Sequence, residues 1–301
     1  MSRKRILIVG GAGTLGSDIL ESNINQNSLF VIDNFIDSVL SPEDVIKHSK
    51  LSDFDISEME PAAEIFKEFS PEVVIYLATS LSNDARICYN ANVLGLDNVI
   101  RLSENHNRPH IIFIQSFLTR CCDSKINEET SFSASDMYST WKLAGELLLE
   151  SYSGPKSNII LASVISPRIT VGAIPAFAKR LQANLPIKVT ETVRDYLGVS
   201  DFLSALEIVI DSNDGLGNVA IGSGLGLQTK EILRLTAQIM GISDPKFDIS
   251  DPHPSDPRSV IIDSAKFKKT FGWQPNVNLE SDFNKAIQNV LDLNVVVRLH
   301  H

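Results

Sequence analysis

A short apolar strand pattern, Arg5–Val9, runs into Gly10-Gly11-Ala12-Gly13-Thr14-Leu15-Gly16 and then into an amphipathic stretch over residues 15–23. Strand, glycine turn and helix in that order commit a chain to a parallel arrangement, because a parallel neighbour strand can be reached only by a crossover. Each glycine has a reason to be there. Gly10 makes the tight turn, Gly13 lets a pyrophosphate approach the backbone, and Gly16 lets the helix pack near the strand. The helix start, Thr14 and Leu15, then offers free N–H groups and a partial positive charge to phosphate. Glycine triplets also occur in ordinary turns, so the surrounding pattern decides.

That pattern repeats. Apolar runs at residues 29–32, 73–77, 111–114 and 159–165 alternate with helical stretches at 61–69, 90–105 and 135–153. The runs are short, β-branched and apolar on both faces, as strands covered by helices on both sides require. The rhythm predicts an α/β fold with a doubly wound parallel sheet. After Pro167 the texture changes. Pro167, Pro175 and Pro186 interrupt it, and Gly215, Gly217, Gly222, Gly224 and Gly226 surround a short strand at 218–221. Helices are expected at 175–183, 200–212 and 229–240, with a short strand near Lys188 and Val189. The run from Asp251 to Pro257 must be a loop, since its prolines donate no backbone hydrogen bond. The expected division is residues 1–166 and a smaller C-terminal α/β lobe over 167–301, some of whose elements return to the first part.

Composition narrows the partners. The formal net charge is -10. Nucleic acid is a poor partner for such a chain, because clustered Lys and Arg supply most of that attraction. No apolar run approaches the length of a membrane span and no leader pattern is visible, so no membrane partner and a cytoplasmic location are expected. Three cysteines, Cys88, Cys121 and Cys122, argue against a disulfide framework, and no metal-ligand spacing is visible.

Two further positions carry chemistry. The strand over 29–32 ends in Asp33, 17 residues beyond Gly16. A carboxylate there accepts the ribose hydroxyls of NAD and repels the extra phosphate of NADP; as a plain turn former it would do neither. Tyr138 and Lys142 stand at i and i+4, one helical turn apart on one face. A phenol near its ordinary pKa of about 10 is a poor base, and a nearby ammonium favours phenolate. Ser116, where the 111–114 strand runs out, can place a hydroxyl beside Tyr138; alone it would read as a turn former. Glycine turn and Tyr-Lys pair together point to hydride transfer.

At this point the chain resembles the extended short-chain dehydrogenase/reductase family, specifically its NAD-dependent nucleotide-sugar epimerases and dehydratases. The likeness spans nearly the whole length. Gly10 to Gly16 looks like the family's Gly-x-x-Gly-x-x-Gly, and Asp33-Asn34-Phe35 resembles its Asp-Asn-Leu. Asp55-Ile56 looks like the pair that touches adenine. Tyr76-Leu77-Ala78-Thr79 resembles His-Leu-Ala-Ala, and Asn92-Val93-Leu94-Gly95 resembles Asn-Val-x-Gly. Ser116, Tyr138 and Lys142 match the catalytic triad. Arg194 to Asp201 resembles Arg-Asp-Phe-x-x-Val-x-Asp, and Phe271-Gly272-Trp273-Gln274-Pro275 looks like Leu-Gly-Trp-x-Pro.

The resemblance implies a Rossmann domain that binds NAD and a lobe that binds a nucleotide-diphosphate sugar. Tyr138 would act as the base, Lys142 would hold the nicotinamide ribose, and Ser116 would orient the reacting oxygen. It also implies a homodimer built on the long helices at 90–105 and 135–153. Substrate contacts fall to Ser163, Arg194, His253 and Arg258. Here the sequence departs from the family, with Ser163 in place of an asparagine and His253 in place of an arginine. Phe117-Leu118 follow Ser116 where dehydratases carry Asp-Glu, which disfavours 4,6-dehydration. Val-Tyr-Gly has become Thr119-Arg120-Cys121. The expected function is an epimerase working through a transient 4-keto sugar. A 4-keto-6-deoxy nucleotide-sugar reductase and a non-catalytic NAD-sensing protein are the alternatives.

Overall fold

The computed structural model describes residues 3–292 except 81, 83, 121–123, 253–255 and 277. His253, Cys121 and Cys122 therefore lie outside the described residues. Among the described residues the strands are β1 (Arg5–Val9), β2 (Ser28–Asp33), β3 (Lys50–Asp53), β4 (Val73–Tyr76), β5 (His110–Ser116), β6 (Ser124–Ile126), β7 (Lys156–Leu161), β8 (Ser163–Ile165), β9 (Lys188–Thr190), β10 (Val193–Gly198), β11 (Gly217–Ile221), β12 (Gly226–Gln228), β13 (Asp248–Ser250) and β14 (Ser259–Ile262). The helices are α1 (Thr14–Glu21), α2 (Pro42–Ile46), α3 (Met59–Phe69), α4 (Ala85–Tyr89), α5 (Gly95–Asn105), α6 (Met137–Leu149), α7 (Ala173–Gln182), α8 (Val199–Asp211), α9 (Thr229–Ile239), α10 (Ala265–Phe271) and α11 (Glu280–Asp292). The chain divides into two compact units. The first holds Met1–Arg120, Thr130–Ile160 and Leu203–Val219, and the second holds Cys121–Glu129, Leu161–Phe202 and Ala220–His301.

The first unit is the doubly wound fold. A seven-stranded sheet has the order β11-β7-β5-β4-β1-β2-β3. All pairings from β3 through β2, β1 and β4 to β5 are parallel. The chain winds outward from β1 to β3 and then returns to β4 on the other side of β1. The switch point is therefore between β1 and β4, where open sheets of this kind take their ligands. Register fixes what lies there: Val9 pairs with both Ile32 and Tyr76, and Tyr76 pairs with Phe113. Gly10 and Leu77, the residues after β1 and β4, and Asp33, the last residue of β2, thus lie together at the carboxyl edge of the sheet. Ser116 ends β5 on the same side. The strands are held by burial on both faces, and one core cluster runs from Leu7 and Val9 through Val74, Tyr76, Leu96 and Phe113 to Leu149.

Three local features differ from the sequence reading. The apolar run 159–165 is two strands, β7 and β8, that belong to different sheets, since β8 pairs with β10. A run apolar on both faces gives no sign of where the backbone changes sheet. The helix expected over 90–105 is interrupted at Asn90–Leu94, which bonds in the wider π pattern, with Gly95 N–H reaching Asn90 C=O. The wider turn gives Tyr76 Oη a partner in Ala91 C=O. A Cβ at Gly95 would lie 2.6 Å from that phenol oxygen, so the helix seats against β4 only with glycine there. Strand β3 was not expected; its sequence, Lys-Leu-Ser-Asp, has no apolar alternation, as an edge strand allows.

The second unit is built around β12-β10-β14-β6, with β8 beside β10, and a separate β13-β9 pair. Its node is the Asp195 carboxylate. It accepts from Ser223 N–H at 3.0 Å, Ser223 Oγ at 2.7 Å, Gly224 N–H at 2.9 Å and Ile262 N–H at 3.0 Å. One buried side chain thereby ties β10 to β14 and to the turn after β11. Helices α7, α9 and α11 close its core around Phe177, Ile232, Leu233, Phe283 and Ile287. Among the described residues no helix is long and apolar enough to cross a membrane.

His110, at the start of β5, is buried, and its Nε2 lies 2.8 Å from Ser157 Oγ on β7. Burial, and secondarily the Lys4 charge, lowers its pKa from 6.5 to about 4. Between those values the unfolded chain binds a proton that the folded chain does not, so stability falls as pH falls through the interval. The expected loss is up to about 3 kcal/mol. Urea titrations across the interval check this, and His110→Gln should flatten the dependence; an unchanged slope in that variant would place the acid sensitivity elsewhere.

Candidate functional site

The glycine turn is shaped as a phosphate cradle. Gly10 has φ +80, and a Cβ there would lie 2.6 Å from the Ala78 nitrogen, so both conformation and space demand glycine. A Cβ at Gly16 would sit 2.6 Å from Gly11 Cα, which lets α1 lie directly on the turn. Gly13 differs: a Cβ would meet only the Gly10 carbonyl oxygen, at 3.5 Å, so its other side is open. Gly13 is also the N-cap of α1, without a capping side chain, and the first turn holds no acidic residue. The first turn of α1 thus brings no carboxylate of its own to the N–H groups at Thr14 and Leu15, which favours an anion there. These residues fit a dinucleotide pyrophosphate.

Asp33 is buried at the end of β2. It accepts from Ala12 N–H at 2.8 Å, Phe35 N–H at 2.8 Å and Ser38 Oγ at 3.0 Å. The carboxylate therefore also fastens the glycine turn to β2. A carboxylate has roughly four acceptor positions, so about one remains for a ribose hydroxyl, with more if Ser38 rotates away. Asn34 Nδ2 donates to Asp55 Oδ2 at 2.9 Å and joins the loops that follow β2 and β3. Ile56 turns its side chain into the core, which leaves Asp55 as the member of that pair able to face a base. Asn98 on α5, which the sequence reading missed, holds this loop by donating to Ile56 C=O at 3.0 Å and Ser57 C=O at 2.9 Å. Leu77, Ala78 and Thr79 follow β4 beside Gly10. Thr79 Oγ1 donates to Asn92 Oδ1 at 2.9 Å, and Asn92 Nδ2 donates to Cys88 C=O at 3.0 Å. Asn92 is fully buried and shapes the loop from behind.

Across the switch point stand Ser116, Tyr138 and Lys142. Helix α6 starts at a capping box in which Asp136 Oδ1 accepts from Ser139 N–H at 2.7 Å. That cap sets where Tyr138 leaves the first turn. The Ser116 hydroxyl beside the Tyr138 phenol lowers its pKa, but burial dominates and pushes it up to about 12. Lys142, one turn on, is buried, and burial brings its pKa down to about 7. Its Nζ donates to Ile114 C=O at 2.9 Å and lies 4.9 Å from the Phe113 ring centroid. Burial thus disfavours either charge alone. A proton passing from phenol to amine creates opposite charges one helical turn apart, each favouring the other.

Residues behind this trio carry the signal that sequence reading missed. Gln115, Thr119, Arg120 and Glu146 are all buried and form one connected polar cluster. The only visible hint was Arg120 itself, at a position where the family pattern has tyrosine.

In the second unit, Ser163 pairs with Tyr196 across β8 and β10. Arg194 and Arg258 are near neighbours, since Val193 N–H donates to Arg258 C=O at 2.7 Å. Both guanidinium groups meet carboxylates of the segment that precedes β14, Arg194 with Asp256 at 2.5 Å and Arg258 with Asp251 at 3.5 Å. Asp256 was not singled out in the sequence.

Comparison with known proteins agrees with this geometry. The sequence pattern of the NAD dependent epimerase/dehydratase family matches residues 6–222. The Bordetella bronchiseptica enzyme WbmG, solved in complex with NAD, superposes with a TM-score of 0.88 at 28% identity, over 98% of this chain and 96% of that one. The same enzyme with NAD and UDP gives 0.88 at 27% identity, over 99% and 98%. A UDP-glucose 4-epimerase of Mycolicibacterium smegmatis is 24% identical over 94% of this chain and 97% of its own. A dTDP-4-dehydro-6-deoxyglucose reductase of Escherichia coli is 23% identical over 95% and 97%. With its glycine cradle, Asp33 and the Ser116-Tyr138-Lys142 trio in one α/β unit, the chain belongs to the NAD-dependent epimerase/dehydratase family, and its cofactor is NAD.

Proposed function

We propose that this protein is a 4-epimerase of a nucleotide-diphosphate sugar, with a UDP-sugar the first substrate to test. The observation that carries the reading is that Ser116, at the end of β5, stands beside the Tyr138 phenol with a buried lysine one turn away, at the sheet edge that carries the glycine cradle. NAD, held by the Gly10–Gly16 turn and Asp33, would supply a hydride acceptor and then a hydride donor for the sugar C4. The protein's own part is proton transfer and orientation. The Tyr138 oxygen takes the 4-hydroxyl proton as the C4–O bond becomes a ketone, and gives it back when the alcohol re-forms. Ser116 donates to the same sugar oxygen and holds it against Tyr138. The Lys142 ammonium stabilises the phenolate.

Phe117 and Leu118 follow Ser116, and neither can move a proton. That favours an enzyme whose 4-keto sugar is reduced again at C4 over one that goes on to expel water. The reductase reading shares the trio and has a relative of its own in the Escherichia coli enzyme; it differs in releasing its cofactor at each turnover. The second unit supplies the diphosphate contacts in this reading, through Arg194 and Arg258, whose partners Asp256 and Asp251 must then yield to the incoming phosphates. UDP in the WbmG complex supports that substrate class.

Tyr138→Phe keeps the ring and removes only the oxygen that moves the proton. It should fold and bind NAD like the wild type and lose about 10²–10⁴-fold in turnover of a UDP-hexose. Wild-type turnover in that variant would remove Tyr138 from the mechanism. Asp33 should make the protein prefer NAD to NADP, because a buried carboxylate repels the 2′-phosphate. Isothermal titration with both cofactors measures this. Asp33→Ala should narrow the preference, and tighter NADP binding by the wild type would contradict the assignment.

A further inference from the structure

Directly behind Ser116 lies a closed ring of buried side chains. Ser116 N–H donates to Gln115 Oε1 at 2.9 Å. Gln115 Nε2 donates to Glu146 Oε2 at 2.8 Å and to the Lys142 carbonyl at 2.9 Å. Arg120 Nη1 donates to Glu146 Oε2 at 3.0 Å, and Arg120 Nη2 donates to Glu146 Oε1. Arg120 Nη1 also donates to Thr119 Oγ1 at 2.9 Å, and Thr119 Oγ1 donates to the Ser116 carbonyl at 2.9 Å, which closes the ring. Both backbone groups of Ser116 are therefore held by side chains that lead back to one carboxylate.

The anchor of the ring is an ion pair with almost no solvent contact, Arg120 and Glu146 being 1% and 2% exposed at the side chain. Two buried charges are a poor means of adding stability, since desolvation offsets most of their attraction. Their bidentate fork is a good means of fixing geometry. The fork holds Thr119 and the Ser116 carbonyl from one side. Through Gln115 it reaches the Ser116 amide and the backbone of Lys142 on the other. The Phe132 ring lies 5.0 Å from the Arg120 guanidinium carbon and covers it.

We propose that the Arg120–Glu146 pair is a positioning device that holds Ser116 in place beside Tyr138 and sets Lys142 at the same time. Arg120, Glu146, Gln115 and Thr119 are positioning residues, all four of them buried. The proposal rests on the reading of Ser116 as the hydroxyl that orients the reacting oxygen. Because Ser116 favours the phenolate of Tyr138, loosening Ser116 should raise the phenol's titration midpoint.

The test is NMR titration of the NAD-loaded protein with tyrosine labelled at Cζ, with Tyr138→Phe assigning its signal among the five tyrosines. Thr119→Val cuts the ring at the Ser116 carbonyl and leaves the ion pair intact. Arg120→Met/Glu146→Gln removes both charges together, so neither is left buried alone. Both should move the Tyr138 midpoint upward, in the direction that Ser116→Ala moves it. Turnover of a UDP-hexose should fall about 10- to 100-fold in kcat, with KM and NAD affinity near wild type. Tyr152→Phe, which removes the buried bond from Tyr152 Oη to Pro109 C=O, is the control for lost stability and should leave the midpoint unmoved. If Thr119→Val folds and its Tyr138 titrates as in the wild type while Ser116→Ala shifts it, the ring is only structural and the proposal fails. If the double variant does not fold, Thr119→Val alone decides. If Ser116→Ala leaves the midpoint unmoved, the role given to Ser116 fails instead.

Discussion

Parallel pairing of β1 with both β2 and β4 is the constraint on which the rest of the first unit depends. β1 and β4 end one residue before Gly10 and Leu77, β2 ends on Asp33, and the register aligns those ends. Gly10, Asp33 and Leu77 are brought together by this pairing and by nothing in their own neighbourhoods of the sequence. A one-residue slip would turn each strand's side chains to the opposite face of the sheet. It would also separate Asp33 from Ala12, whose N–H it accepts. The same carboxylate thus fastens the turn to β2, so the residue proposed to select the cofactor is also one the fold depends on.

Burial sets the chemistry on the other side of the switch point. It raises the Tyr138 phenol and lowers the Lys142 ammonium, and both shifts have desolvation as their largest cause. An exposed pair would titrate near ordinary values and would do little at neutral pH. With the phenol raised and the ammonium lowered, the resting pair keeps its proton on Tyr138, and a positive charge nearby is what favours the phenolate. The backbone contacts of Ser116 and Lys142 keep this pair at fixed geometry, which matters because proton transfer is sensitive to small displacements.

Much of this was legible in the sequence, and for physical reasons. Glycines at 10, 13 and 16 report a turn that only they can make, and strands buried on both faces appear as unbroken apolar runs. Tyr138 and Lys142 reveal themselves by helical spacing. Other features left no local trace. The change of sheet at Ala162 lies within one continuous apolar run. Strand β3 is short and polar because it is an edge. The ion pair of Arg120 with Glu146 joins residues 26 apart, and periodicity carries no information about such a contact. Asn98 supports the loop at Ile56 from 42 positions away, and its polar side chain on a helix reads from sequence as a solvent-facing residue.

The central claim is that one C4–H bond is broken and re-made at the same carbon within one binding event. A UDP-hexose deuterated at C4, incubated with the NAD-loaded protein and an excess of free unlabelled NADH, tests it directly. Mass spectrometry and NMR of the product should show the 4-epimer with deuterium retained at C4. Loss of the label to the free cofactor pool, or accumulation of a 4-keto sugar, would contradict the account and favour the reductase reading.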